Sequence, residues 1–168
     1  QLLNNGAEKI CVNSAAVKNP QLISDSSKKF GSQCIVVSID VRKDFLGRYE
    51  VMTKSGTTRT RLNPINHAKE MERMGAGELL INSINKDGQM SGYDLDLLNA
   101  ISSSVNIPVI ACGGAGQIED LIFGVKEGKA SAVAAGSMFV YYGKKRAVLI
   151  NYPREQELSR FYLSLGET

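Results

Sequence analysis

The residues with the clearest chemical use stand where apolar runs meet glycine or a carboxylate. Val109-Ile110-Ala111-Cys112 runs into Gly113-Gly114-Ala115-Gly116, and a helix-like segment, 117–122, follows. A short apolar run bounded by glycine reads as a buried strand. Glycines at its end let backbone N–H groups approach an anion with no Cβ in the way. The next helix would add its partly positive N-terminus. Two readings stay open for this stretch alone: a phosphate cradle, or a tight strand-to-helix turn with no ligand. Gly136-Ser137 ends a second short apolar run, 130–135. Asp40 closes the most apolar run of all, 34–40. A carboxylate there can shuttle protons, or can simply cap a helix or anchor a loop.

The elements that position these residues alternate. Residues 8–13 read as a strand ending in Asn13-Ser14. Pro20 suits the first turn of a helix over 20–30, with Asn19 as its cap. The run 33–40 reads as a strand covered on both faces. Residues 41–61 break the rhythm: 49–53 alternates and Lys54-Ser55-Gly56 is a turn, so a strand-to-helix loop is enlarged into a hairpin. Asn63-Pro64 opens a helix to about Met74. Then come a strand over 78–83, a polar loop over 85–92 and a helix from Asp94 that buries Leu97, Leu98, Ile101 and Val105. After the strand at 109–112, Ile118, Leu121, Ile122 and Val125 line a further helix. Residues 147–150 are ambiguous, and Pro153 starts a last helix to about Leu165. His67, between polar neighbours, reads as a surface residue.

Strand-helix units repeated five times imply parallel strands with right-handed crossovers. A doubly wound sheet and a (β/α)8 barrel both fit. No G-x-G-x-x-G fingerprint with an acidic strand end is present. Gly113-Gly114 and Gly136-Ser137, at consecutive strand ends, match the phosphate site after strands seven and eight of barrels. The fold class is therefore α/β, a (β/α)8 TIM barrel that is incomplete here, and the 168 residues read as one domain.

Bulk properties exclude other classes. Hydrophobic residues make up 43% and charged residues 22%, ordinary for a globular protein. A net charge of +3, spread apart from Lys144-Lys145-Arg146, does not indicate nucleic-acid binding. Cys11, Cys34 and Cys112 lack metal-like spacing and read as reduced, buried thiols of a cytoplasmic protein. No apolar run approaches the ~18 residues of a membrane span, and no signal peptide is seen. Gln1 is not expected to be the natural start.

Five motifs converge on one family. They are Gly-Ala-Glu-Lys-Ile-Cys-Val-Asn-Ser-Ala-Ala-Val (6–17), Phe-Gly-Ser-Gln-Cys-Ile-Val-Val-Ser-Ile-Asp (30–40), Gly-Ala-Gly-Glu-Leu-Leu (75–80), Asp-Gly-Gln-Met-Ser-Gly-Tyr-Asp (87–94) and Ala-Cys-Gly-Gly-Ala-Gly (111–116). From residue 1 to about 143 the chain resembles HisF, the cyclase subunits of imidazole glycerol phosphate synthase. The resemblance implies strands four to eight of the barrel, with the first three βα units absent. It implies a reaction in which ammonia joins a bis-phosphorylated ribulosyl aminoimidazole carboxamide, which is cyclised and cleaved to imidazole glycerol phosphate and aminoimidazole carboxamide ribotide. Ammonia would come through the barrel from a HisH-like glutaminase at its N-terminal face. No cofactor or metal is implied.

Residue by residue, Asp40 resembles the family's second catalytic aspartate. The first, on strand one, is missing, so the chain alone is expected to be inactive. Gly113, Gly114, Gly136 and Ser137 match one of two phosphate sites. Asn13, Ser14 and Asn82, with Ser83 beside it, lie where the other would be, although Ser14 and Asn82 stand where threonine is common. Asp87 sits on the family's mobile loop after strand six, and Ser55-Gly56 would help close the site. Lys9 and Glu78 begin two strands, where an unpaired charge costs stability; they resemble part of the charged ring that gates ammonia. Gln33 and Glu8 would face the glutaminase, with Glu8 in place of the usual aspartate. Bottom-face stability alone would also account for these four. The tail, 144–153, looks more like a HisF paralogue of bacterial surface-polysaccharide clusters, which with a HisH-like partner delivers ammonia for an acetamidino sugar of lipopolysaccharide. A third reading is a half-barrel that is inactive unless another chain completes it.

Overall fold

The computed structural model describes residues 2–143 and 145–166; Gln1 and Lys144, on which the readings of the start and of the basic run fall, lie outside the described residues. In chain order come β1 (Ile10–Val12), α1 (Ser14–Lys18), α2 (Gln21–Phe30), β2 (Ile35–Lys43), β3 (Tyr49–Thr53), β4 (Thr58–Arg59), α3 (Pro64–Arg73), β5 (Glu78–Ser83), α4 (Leu95–Ser102), β6 (Val109–Cys112), α5 (Ile118–Lys126) and β7 (Ala132–Val133). A short α6 (Ser137–Val140), a hairpin of β8 (Tyr141–Tyr142) with β9 (Ala147–Val148), and α7 (Glu155–Leu165) follow.

The parallel strands pair in the order in which the chain makes them: β1, β2, β5, β6, β7. A doubly wound sheet would reverse its order at a switch point, and none occurs among the described residues. Right-handed crossovers between neighbours taken in order deliver every helix to the same face. Burial shows which face. On β2, Ile35, Val37, Ile39 and Val41 are at most 1% exposed, whereas Ser38 and Asp40 are half-buried and Arg42 is exposed. On β5, Leu79, Ile81 and Ser83 are buried and the residues between them are half-buried. The buried set packs in one core with Ala68 and Met71 of α3, Leu97 and Ile101 of α4, and Ile118 and Leu121 of α5. The sheet thus has one helix-covered face and one open face. The open face carries Cys11, Ser38, Asp40, Leu80, Asn82, Ile110 and Cys112, all half-buried or exposed.

Local details depart from the sequence reading. The strand expected over 8–13 is only β1, and the one expected over 130–135 is only β7. β2 does not stop at Asp40: residues 40–43 continue it by pairing antiparallel with β3. β1 and β3 share one edge of β2, β1 taking 35–37 and β3 taking 40–43. The expected hairpin therefore stands directly beyond the end of β1. Asn19 does not cap α2 with its side chain; its backbone carbonyl accepts from the Leu22 N–H at 3.1 Å. Asn63 does cap α3, its Oδ1 accepting from the N–H groups of Ile65 and Asn66. The cysteines are free but not buried: Cys11 is exposed, and Cys34 and Cys112 are half-buried. Cys11 and Cys112 lie on the open face, which nothing among the described residues covers.

His67 is not on the surface. It is 3% exposed, and neither ring nitrogen has a hydrogen-bond partner. Pro64, His67, Ala68 and Met71 are spaced 3, 4 and 7 apart, which sets them on one face of α3. Burial pushes the imidazolium down from its ordinary value, and Glu70, whose carboxylate lies 3.9 Å from Nδ1, offsets this only in part. The folded state keeps His67 neutral, while the unfolded chain takes up a proton below about pH 6.5. This contribution is therefore absent above pH 6.5, and stability falls as pH drops through that range. Urea midpoints measured at pH 7.5 and 5.5 should differ less for His67→Leu than for the wild type; equal differences would contradict this.

Candidate active site at the strand C-termini

Asp40, Asn82 and Cys112 are register partners across β2, β5 and β6. They form a row on the open face at the C-terminal end of the sheet. The Asn82 Nδ2 donates to Asp40 Oδ1 at 3.3 Å. Burial pushes the Cys112 thiol up; Asp87 and Asp40 add to this and the Gly113 N–H opposes it. Asp87, itself exposed, stands in the loop after β5. Partial burial, then Asp40, pushes the Cys11 thiol up as well. Both sulfurs stay protonated at neutral pH, so neither is a poised thiolate nucleophile. Asp40 is the carboxylate around which proton chemistry can be organised.

Beside this row, Asn13 and Ser14 leave the end of β1. Ser14 Oγ accepts from the Lys54 N–H at 2.9 Å and donates to Asn13 Oδ1 at 3.3 Å. From β2, Arg42 donates to the Gly56 carbonyl at 2.6 Å. The hairpin tip is therefore pinned from β2 and from the start of α1, and Ser55-Gly56 sits beside Ser14. Lys54 and Ser55 adopt left-handed φ values of 51° and 54°. Ser83 is not brought to this group: its side chain is buried on the helix-covered face.

The glycine-rich turn has a packing explanation that the sequence did not reveal. Gly113 and Gly114 are buried with φ of 83° and 121°. A Cβ on Gly114 would strike the Gly92 carbonyl, and one on Gly116 would come 2.7 Å from the Met90 carbonyl. The turn clamps the loop that carries Asp87, and the Gly92 N–H donates back to the Gly114 carbonyl at 3.0 Å. The N-terminus of α5 is not a free anion site: the buried Asp120 carboxylate accepts from the N–H groups of Gly116 and Gln117. Gly136 differs. It is exposed, and a Cβ there would meet nothing within 4 Å. Gly136 and Ser137 therefore leave open space at the end of β7.

At the opposite end of the open face, Lys9 and Glu78 form an ion pair. Val36, the register partner of Glu78, is the one open-face residue of β2 that is buried. Gln33 and Glu8 are exposed, just before β2 and β1. From Glu78 to Asn82 the face runs about 13 Å at the usual rise of a strand. Between the ends it is lined by Cys11, Ser38, Leu80 and Ile110. The sequence reading gives no site role to Cys112, Arg42 or Lys54; the alternation that places Asp40 on the open face is the available signal for Cys112.

The sequence pattern of the histidine biosynthesis protein family matches residues 1–146. The chain belongs to this family. Among its members, a Pseudomonas aeruginosa protein bearing the name imidazole glycerol phosphate synthase subunit hisF2 is 46% identical over 158 residues, which are 94% of this chain and 63% of the relative. The imidazole glycerol phosphate synthase subunit HisF of Alkaliphilus metalliredigens is 45% identical over 141 residues, 84% of this chain and 56% of the relative. The chain therefore spans under two thirds of the length of these family members.

The turn geometry makes a prediction for this member of the family. Gly114→Ala should lower unfolding stability by about 1–3 kcal/mol, the usual cost of forcing atoms into a filled site. It should also speed amide exchange at Gly92. Unchanged stability and exchange would show that the loop is not clamped there.

Proposed function

We propose that the chain supplies the active-site mouth and ammonia path of a HisF-type cyclase. Its five parallel strands correspond to strands four to eight of a (β/α)8 barrel, and the open face is the barrel interior. The reaction is the one the family resemblance implies: ammonia, released by a HisH-like glutaminase, joins a bis-phosphorylated ribulosyl aminoimidazole carboxamide. The adduct is closed and cleaved to imidazole glycerol phosphate and aminoimidazole carboxamide ribotide, in the cytoplasm. No helix among the described residues is long and apolar enough to cross a membrane.

One observation carries the reading: a carboxylate and an ion pair stand at opposite ends of the same open face, with small or apolar residues between. Catalysis in such barrels sits at the C-terminal ends of the strands, where Asp40 is. Asp40 moves protons during ring closure. Gly136 and Ser137, with the amides of Gly113 and Gly114, take one phosphate. Asn13 and Ser14 take the other beneath the hairpin tip, with Asn82 at the neighbouring strand end. Asp87 meets the substrate from the loop that the glycine turn holds. Lys9 and Glu78 gate ammonia at the glutaminase face, which Glu8 and Gln33 contact.

A second reading rests on the tail, 144–153, which resembles a HisF paralogue of bacterial surface-polysaccharide clusters. The 158 residues aligned with hisF2 of Pseudomonas aeruginosa necessarily run past residue 146, where the family pattern ends. Part of the tail is therefore aligned with that relative, whose name is that of an imidazole glycerol phosphate synthase subunit. In this reading the same channel delivers ammonia for an acetamidino sugar of lipopolysaccharide, and the anion sites hold a nucleotide-sugar diphosphate.

In a barrel-complete protein, Asp40→Asn should cut ammonia-dependent turnover by roughly 10²–10⁴-fold, the range for general acid–base groups; near-wild-type turnover would remove Asp40 from this role. Lys9→Met should depress glutamine-driven turnover more than turnover fed with ammonium salt, and equal losses would assign the ion pair to stability alone. Growth of a HisF-deficient strain without histidine, on expression of the barrel-complete protein, separates the two substrates: growth supports histidine biosynthesis, and none supports the sugar.

A further inference from the structure

We propose that Asn82 is a positioning residue for Asp40, its amide set by Gly113, and that it does not hold substrate phosphate. This refines the site just described and replaces the phosphate role given there to Asn82. It rests on that reading only in taking Asp40 as the reacting carboxylate.

The amide has two ends, and both are committed. Nδ2 donates to Asp40 Oδ1 at 3.3 Å. Oδ1 is buried and has no hydrogen-bond partner. It lies against Gly113, where a Cβ would come 2.5 Å from Oδ1 and 2.8 Å from the Ser83 carbonyl oxygen. Only glycine, at φ 83°, leaves that seat vacant. An oxygen sealed in this way is out of reach of a ligand, and two acceptors do not attract. Nδ2 carries two N–H donors, and the one that the structure engages points at a carboxylate rather than at an anion site.

The orientation is also one-way. Turning the amide over would press its oxygen on the Asp40 carboxylate and leave the NH₂ group facing the Gly113 backbone. A buried acceptor without a partner is normally costly. Here it holds the NH₂ group on Asp40, and the hydrogen bond fixes that carboxylate's direction at the mouth. The other neighbours of Asp40 do not compete for this role. Cys11 on β1 and Cys112 on β6 carry protonated thiols. Met52, its register partner on β3, is uncharged. Arg42 is turned away to the Gly56 carbonyl.

The test reads the Asn82 side-chain amide by ¹⁵N NMR in the full chain and needs no turnover. The signals should move with pH as Asp40 takes up a proton. They should cease to do so in Asp40→Asn and in Gly113→Ala, where the added methyl displaces Oδ1. Inorganic phosphate at tens of millimolar should leave them in place. Signals that titrate alike in the wild type and Asp40→Asn, or that shift saturably with phosphate, would overturn the proposal. Asp40→Asn, an isosteric change, decides the matter if Gly113→Ala does not fold. An inactive enzyme whose amide signals still follow Asp40 would count against the cyclase reading and leave this one standing.

Discussion

Parallel strands paired in chain order leave the helices only one side of the sheet to cover. Most of the structure follows from that. Ile35, Val37, Ile39, Leu79 and Ile81 face the helices and are essentially fully buried. Each such side chain contributes about 1.5–3 kcal/mol of burial. The opposite face receives no helix, so it tolerates serine, cysteine, aspartate and asparagine in positions that a two-sided core would exclude. Polar chemistry is concentrated there because packing forbids it elsewhere.

The two ends of that face differ because strand direction makes them differ. At the C-terminal end, loops converge: the hairpin pinned by Ser14 and Arg42, and the loop clamped by Gly114 and Gly116. At the N-terminal end Lys9 and Glu78 stand at the starts of their strands and form an ion pair. Their charges sit at the start of apolar strands and are tolerable because they meet each other. The edge of β2 that is shared between β1 and β3 links the ends to the loops. Where β1 stops, the hairpin takes over the same edge and brings its tip to Asn13 and Ser14.

Much of this was legible in the sequence. The apolar runs at 78–83 and 109–112 coincide with β5 and β6, and Asn63-Pro64 marked the start of α3, because burial on one face and local capping are written in neighbouring residues. What was not legible depends on distant partners. The extension of β2 past Asp40 needs β3. That Cys11 and Cys112 lie outside the core needs knowledge that one face is open. His67 was misread by its polar neighbours although its helical spacing to Ala68 and Met71 was in view. The N-terminus of α5 looked free until Asp120 folded back onto it. Ser83 stood next to Asn82 in sequence, and the pleat sent it to the other face. Family resemblance supplied roles for individual residues that no periodicity could have assigned.

The claim on which all else rests is that the open face is the interior of a barrel completed by strands outside this chain. Alkylation of Cys11, followed by mass spectrometry, addresses it. In the isolated chain Cys11 should react at a substantial fraction of its rate in the denatured chain. Once a polypeptide supplying the unmatched part of the hisF2 relative is added, it should become strongly protected. A Cys11 that is already protected in the isolated chain, or one that stays reactive after the complement binds, would contradict the barrel.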